Sequence, residues 1–181
     1  MKFNFFKKKK QEPDYDPLNI KVTDLKKGFI FEYDLKTWEV VEEYTYDWGD
    51  NYFSKEYKIS SGSDILFMSV DDDDVIEITL QKKIKLSSID GDVESEIITN
   101  KVPPKKIVYR GVDYYRDSEA PGYFKEEDSD KDWLELISWS YYNDEEDRVL
   151  SIEQWDDREF EAAYGKVIKE FEISNIMPAG N

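Results

Sequence analysis

The chain has no cysteine and no histidine among its 181 residues. Without cysteine there are no disulfides and no redox thiols, a composition that fits a reducing compartment. Together the two absences remove the Ser-His and Cys-His pairs of nucleophilic catalysis and the usual ligands of a structural zinc. No segment approaches the ~20 consecutive apolar residues of a membrane-spanning helix. The order of a secretory leader is reversed, since Phe3, Phe5 and Phe6 precede Lys7 to Lys10. A cytoplasmic protein is the expectation. Positive charge is also scarce. Against 42 Asp and Glu stand 25 Lys and Arg, a net charge of −17 that repels phosphate backbones and excludes general nucleic-acid binding.

What the chain does have is aromatic surface: 13 Tyr, 10 Phe and 5 Trp, enough to build a core despite 37% charged residues. Those aromatics fall in period-two patterns. Trp38, Val40, Tyr44 and Tyr46 alternate with Glu39, Glu43 and Asp47, which predicts a half-buried antiparallel strand with the four aromatic and aliphatic residues on one face. Tyr52–Ile59 and Ile65–Val70 continue the meander, with turns at 48–51 and 60–64. Val75–Leu86 reads as one long strand or a strand pair, and Arg158–Tyr164 as a strand despite its helix formers. Thr23–Gly28 suits a short helical turn, and Ile89-Asp-Gly-Asp92 a hairpin-type turn.

Two halves are expected, 18–100 and 101–181, after a flexible tail over 1–17 and with the boundary at Lys101-Val-Pro-Pro-Lys105. They share an ordered series of matches. Tyr57 meets Tyr141, Leu66 meets Leu150 and Met68 meets Ile152 at an offset of 84, while Ile84–Ile89 resembles Phe171–Ile176 at 87. The expected fold is therefore all-β: two similar meanders whose apolar faces pack together as a sandwich or a bent, barrel-like sheet, with at most short helical turns.

Candidate sites compete with simpler roles. Asp71 to Asp74 suggests a cation loop, but adjacent side chains on extended backbone diverge, so a solvated hairpin tip is the better reading and no metal site is expected. The Phe and Lys tail has the chemistry for weak membrane contact, opposed by 42 acids against 20 bases in residues 11–181. Trp48, Tyr52, Phe53, Trp139 and Trp155 are the candidate partner-binding aromatics, with Trp133, Tyr141 and Tyr142 nearby in the series. Carboxylate pairs such as Glu153 with Asp156, or Glu42 with Glu56, arise by chance in so acidic a chain.

Leu25-Lys-Lys-Gly-Phe-Ile-Phe31, Trp38-Glu-Val-Val41, Glu56-Tyr-Lys-Ile59 and Val149-Leu-Ser-Ile-Glu-Gln-Trp155 followed by Gly165 resemble the bacterial family called domain of unknown function 4178, over most of residues 20–178. The resemblance implies a bacterial, cytoplasmic protein with links to membrane-stress and polyamine systems, and it carries over no functional residue. The expected function is a non-catalytic module binding another protein, a basic or membrane-associated one, without cofactor. The alternative is a small-cation or polyamine-binding protein, because acid clusters attract amines and aromatics add cation–π contacts. A carboxylate-only hydrolase would require a deep pocket with two converging acids.

Overall fold

A computed structural model describes residues 15–73 and 75–180, so the Phe and Lys stretch of the expected tail lies outside the described residues. Alternating sequence becomes strand throughout. β1 (Phe29–Tyr33), β2 (Lys36–Asp47), β3 (Phe53–Ser61), β4 (Asp64–Asp72) and β5 (Ile76–Ile84) form one antiparallel meander. β6 (Lys106–Tyr109), β7 (Val112–Glu126), β8 (Leu134–Tyr142), β9 (Arg148–Asp156) and β10 (Glu159–Ile168) form a second. The meanders join where β5 pairs with β10, and β11 (Ser174–Pro178) returns to pair with β1.

The sheet also closes on itself. Tyr44–Asp47 at the end of β2 pairs with Tyr123–Glu126 at the end of β7, so β2-β3-β4-β5-β10-β9-β8-β7 makes a ring, from which β1 with β11 and β6 extend. Each ring-closing strand does two jobs along one edge. β2 offers residues 36–39 to β1 before it reaches β7, and β7 offers 112–115 to β6 before it reaches β2. A bulge separates the two jobs in each strand, between Val40 and Glu42 in β2 and between Arg116 and Ser118 in β7.

Those bulges correct the expected single face of β2. One extra residue shifts the side-chain period. Trp38 and Val40 enter one apolar cluster, whereas Tyr44 and Tyr46 emerge on the opposite face in another. The same shift separates buried Tyr114 from Ser118, Ala120 and Phe124, which face the ring's interior.

The apolar faces of the two meanders do not pack against each other, contrary to expectation. Phe29, Phe31 and Tyr33 of β1 cover Trp38, Tyr57, Ile59, Met68 and Ile78 in one core. Tyr109 and Tyr114 join Trp139, Tyr141, Leu150 and Ile152 in a separate one. Each core is completed by the segment that follows the other meander: Ile173 and Ile176 after β10 join the first core, and Ile89, Val93 and Ile97 after β5 join the second, while the opposite face of each meander turns to the interior of the ring. The second core recruits α1 (Val93–Asn100), a full helix where a hairpin turn was expected at its start. Asp92 caps it by accepting from Ser95 N at 3.2 Å, Val93 and Ile97 bury one side, and Lys101 ends it in the left-handed region. Short 3-10 turns lie at Val22–Asp24, overlapping only the first two residues of the turn expected over Thr23–Gly28, and at Leu86–Ser88 and Glu170–Glu172. The last two turns, the strand ends Ile84 and Ile168, and buried Ile89 and Ile173 all sit 84 residues apart. The expected offset of 87 between Ile84–Ile89 and Phe171–Ile176 therefore does not align the elements, and an offset of 84 serves here as well.

Gly165 sets the distance between the meanders. A Cβ there would fall 1.8 Å from the carbonyl oxygen of Leu80, so β10 can lie this close to β5 only with glycine.

Candidate functional site

Alternation sends every second side chain of a ring strand inward, and register identifies which. Glu56 of β3 pairs with Tyr44 of β2 and Ser69 of β4, and Ser69 in turn with Thr79 of β5. Across the ring, Glu153 of β9 pairs with Ser138 of β8 and Glu161 of β10. All of these inward residues line two cavities.

One cavity, of about 530 Å³, has aromatic walls of Tyr44, Phe67, Phe124 and Trp155 and carries Glu126, Glu159 and Glu161. Among the described residues Lys83 is the single base in its wall. The other, of about 420 Å³, is lined by Ser54, Ser69, Thr79, Ser118, Ser138 and Ser140, with Asp71 and Glu77. Tyr46, Glu56, Gln81, Ser151 and Glu153 belong to both, so the two cavities adjoin at this layer and together make up the channel inside the ring. A third hollow of about 610 Å³ lies beside it, between Trp48 and Trp155.

At the junction the Tyr46 hydroxyl lies 3.4 Å from Glu56 Oε1 and 3.5 Å from Glu153 Oε1, placing the two carboxylates within about 7 Å of each other. Ser69 Oγ donates to Glu56 Oε2 at 3.3 Å. Ser151 Oγ donates to Gln81 Oε1 at 3.0 Å, which fixes the amide beside the pair. Both glutamates are partly buried, and each lines both cavities.

Burial pushes both carboxyl groups far above the ordinary range, because a charge there loses water without gaining a full partner. The charges of Glu56 and Glu161 raise Glu153 further, while Lys83 opposes the rise in both. Lys83 is itself committed, 2.5 Å from Glu161 and 4.9 Å over the ring of Phe67. The Tyr46 hydroxyl holds its proton more tightly than usual, through burial first and the two carboxylates second, so it remains a donor. A hydrogen-bond donor and two acids, at least one of them protonated near neutral pH, thus converge on one enclosed point.

The structure distributes the five candidate aromatics over three environments. Trp48 stacks on Tyr46 at 5.2 Å, donates Nε1 to Ser54 Oγ at 2.8 Å and rests on Gly122, where a Cβ would lie 2.6 Å from its ring. Tyr52 donates its hydroxyl to Asp71 at the serine-lined end of the channel. Trp155 stands edge-on to Phe124 at 5.1 Å, with its indole N–H sealed from water and lacking an acceptor. Those three belong to the channel walls. Phe53 begins β3 on the outer face, half exposed. Trp139 is a correction: it is wholly buried in the second core, its indole N–H donated to Glu119 at 2.9 Å, and it presents nothing to a partner. Asp71 and Asp72 end β4, and of the two only Asp71 lines the channel.

The pairing of Glu56 with Glu153 was missed. Glu42, the expected companion of Glu56, instead forms an ion pair with Lys58 at 2.7 Å. On a strand, an acid alternating with apolar residues reads as a solvent face, and Glu56 beside Tyr57 has that pattern. The available signal was small size. Ser69, Ser138, Ser140 and Ser151 occupy positions where a solvated strand face usually carries long polar side chains.

No solved structure matches this chain. An uncharacterised protein of Aquifex aeolicus (strain VF5) is 28% identical over 174 residues, covering 96% of this chain and 94% of the relative. No helix among the described residues is long and apolar enough to cross a membrane. The model of the family described as Domain of unknown function (DUF4178) matches residues 26–170, a span that contains the whole ring and both walls of its channel, and the chain belongs to that family.

Proposed function

We propose that the protein binds a small organic cation, an amine with a hydrocarbon body, inside the channel. One observation carries this reading: Glu56 and Glu153 converge in a cavity with aromatic walls, and the single base in it among the described residues is already ion-paired. A buried carboxylate must find a proton or a counter-charge, and an ammonium group supplies the second. Tyr44, Phe67, Phe124 and Trp155 then offer faces for its methylenes and for cation–π contact.

A protein-interaction role has less support among these aromatics, since Trp48, Tyr52 and Trp155 line the channel and Trp139 is buried in the second core, which leaves Phe53 exposed on the outer face. A second reading follows from the same acids. A protonated and an ionised carboxyl group side by side can act as acid and base on a molecule held between them.

Calorimetric titration with spermidine and with butylamine tests the proposal. Saturable heat is expected from wild type and none from Glu56→Gln combined with Glu153→Gln. Persistence of the wild-type heat in that double variant would refute it. Proton release, read as a dependence of the heat on buffer ionisation enthalpy, is expected because the cation displaces a proton held by one of the two carboxyl groups. Consumption of the amine over hours, abolished by either single variant, would establish the catalytic reading instead.

A further inference from the structure

At the serine-lined end of the channel Asp71 of β4 sits directly opposite Glu77 of β5. Like charges in that cross-strand position repel and destabilise a sheet. Neither carboxylate has a lysine or arginine partner among the described residues; each is held by a tyrosine instead. Tyr52 donates to Asp71, and Tyr142, from β8 across the channel, donates to Glu77 Oε1 at 2.6 Å. Burial and the neighbouring carboxylates keep both hydroxyls protonated. Two donors do not satisfy four carboxylate oxygens. Asp71 Oδ1 is sealed from solvent with no hydrogen-bond partner, an orphaned acceptor in the channel wall.

We infer that this end is a second cation subsite, and that the ligand carries two ammonium groups joined by a short hydrocarbon chain. The inference rests on the channel reading above and adds the spacing. Ser69 pairs with Glu56, and Asp71 lies two residues further along the same strand. The two acid pairs are therefore offset by about 7 Å along the strands, which suits a spacer of about four carbons. Ser54 and Ser69 line the interval. One ammonium group sits between Glu56 and Glu153 beneath Tyr46. The other sits between Asp71 and Glu77, where it supplies the orphaned Oδ1 with a donor and relieves the repulsion across β4 and β5. Among the described residues no lysine or arginine fills either place, so the ligand brings both charges.

The test is a series of calorimetric titrations at fixed pH and salt with butylamine, 1,4-diaminobutane and 1,8-diaminooctane. The 1,4-diamine is expected to bind at least tenfold more tightly than butylamine and more tightly than the longer diamine. Asp71→Asn combined with Glu77→Gln should lower the diamine to the level of butylamine and leave butylamine unchanged. Each variant is checked for a wild-type thermal transition, and the length series in unaltered protein needs no variant at all. Butylamine binding as tightly as the 1,4-diamine would overturn the second subsite while leaving the channel reading intact. Equal weakening of both ligands by the double variant would do the same. No heat with any amine would remove both readings together.

Discussion

Glu56 and Tyr57 are neighbours in β3 and live in opposite worlds. Tyr57 is 1% exposed among Phe31, Ile59 and Met68 in an apolar core on one side of the sheet. Glu56 is surrounded by protein on the other side, but its surroundings are Ser69, Tyr46 and a second carboxyl group. Tyr57 is buried and Glu56 partly so, for different ends: the core faces hold the chain together, and the channel face draws polar groups away from water at a cost that the proposed amine would offset. In this barrel the two larger apolar cores lie outside the ring, and the interior combines a smaller aromatic cluster with the two carboxyl groups.

Breaking the core side should have the largest effect. Trp139→Ala empties a fully buried site and is expected to cost about 3–5 kcal/mol of unfolding free energy in urea titration. Gly165→Ala tests the seam between the meanders. With a Cβ directed at the Leu80 carbonyl, we expect a loss of about 3 kcal/mol or more, and an unchanged midpoint would mean that β5 and β10 do not approach as closely as described.

The channel side should respond with the opposite sign. Glu56 and Glu153 hold protons more tightly folded than unfolded, so between about pH 5 and 8 the folded chain binds the extra proton and its stability falls as pH rises. Glu56→Gln removes part of that dependence. The variant should be more stable than wild type at pH 8.5 by about 1–3 kcal/mol and show a smaller difference at pH 4.5. Measuring the difference between the two proteins cancels Glu42 and Glu127, whose carboxyl groups are lowered by Lys58 and by Thr45 and Lys55 and so act in the other direction. A Glu56→Gln variant less stable than wild type at high pH would show that the pair is stabilising as charged groups. Smallest of all, Phe53→Ser on the half-exposed outer face should change stability by less than about 0.5 kcal/mol and leave amine binding intact.

Much of the fold was legible because period two is a local property. Strands and the turns at 48–51 and 60–64 could be read from alternation and turn residues, whereas Arg158–Tyr164, rich in helix formers, reads as a strand only beside its counterpart Val75–Leu80. The two bulges could not. Trp38 and Tyr44 share a parity in the sequence, and only the pairing with β3 shows that the face changes between Val40 and Glu42. Helix α1 was hidden by β-branched Val93, Ile97 and Ile98, whose packing outweighs their weak helix propensity, and by an Asp-Gly-Asp run that serves its cap. Glu56 and Glu153 lie 97 residues apart on strands that never pair with each other. No spacing rule connects them, since a ring brings together residues by its curvature.

By itself the sequence determined an acidic, aromatic-rich, all-β chain without thiol or imidazole chemistry, because composition and alternation act residue by residue. Only the tertiary structure decided which face of each strand is inside. The closing of β2 on β7 turned what reads as a solvated face into the wall of a channel, and solvation, unlike periodicity, depends on what the rest of the chain encloses.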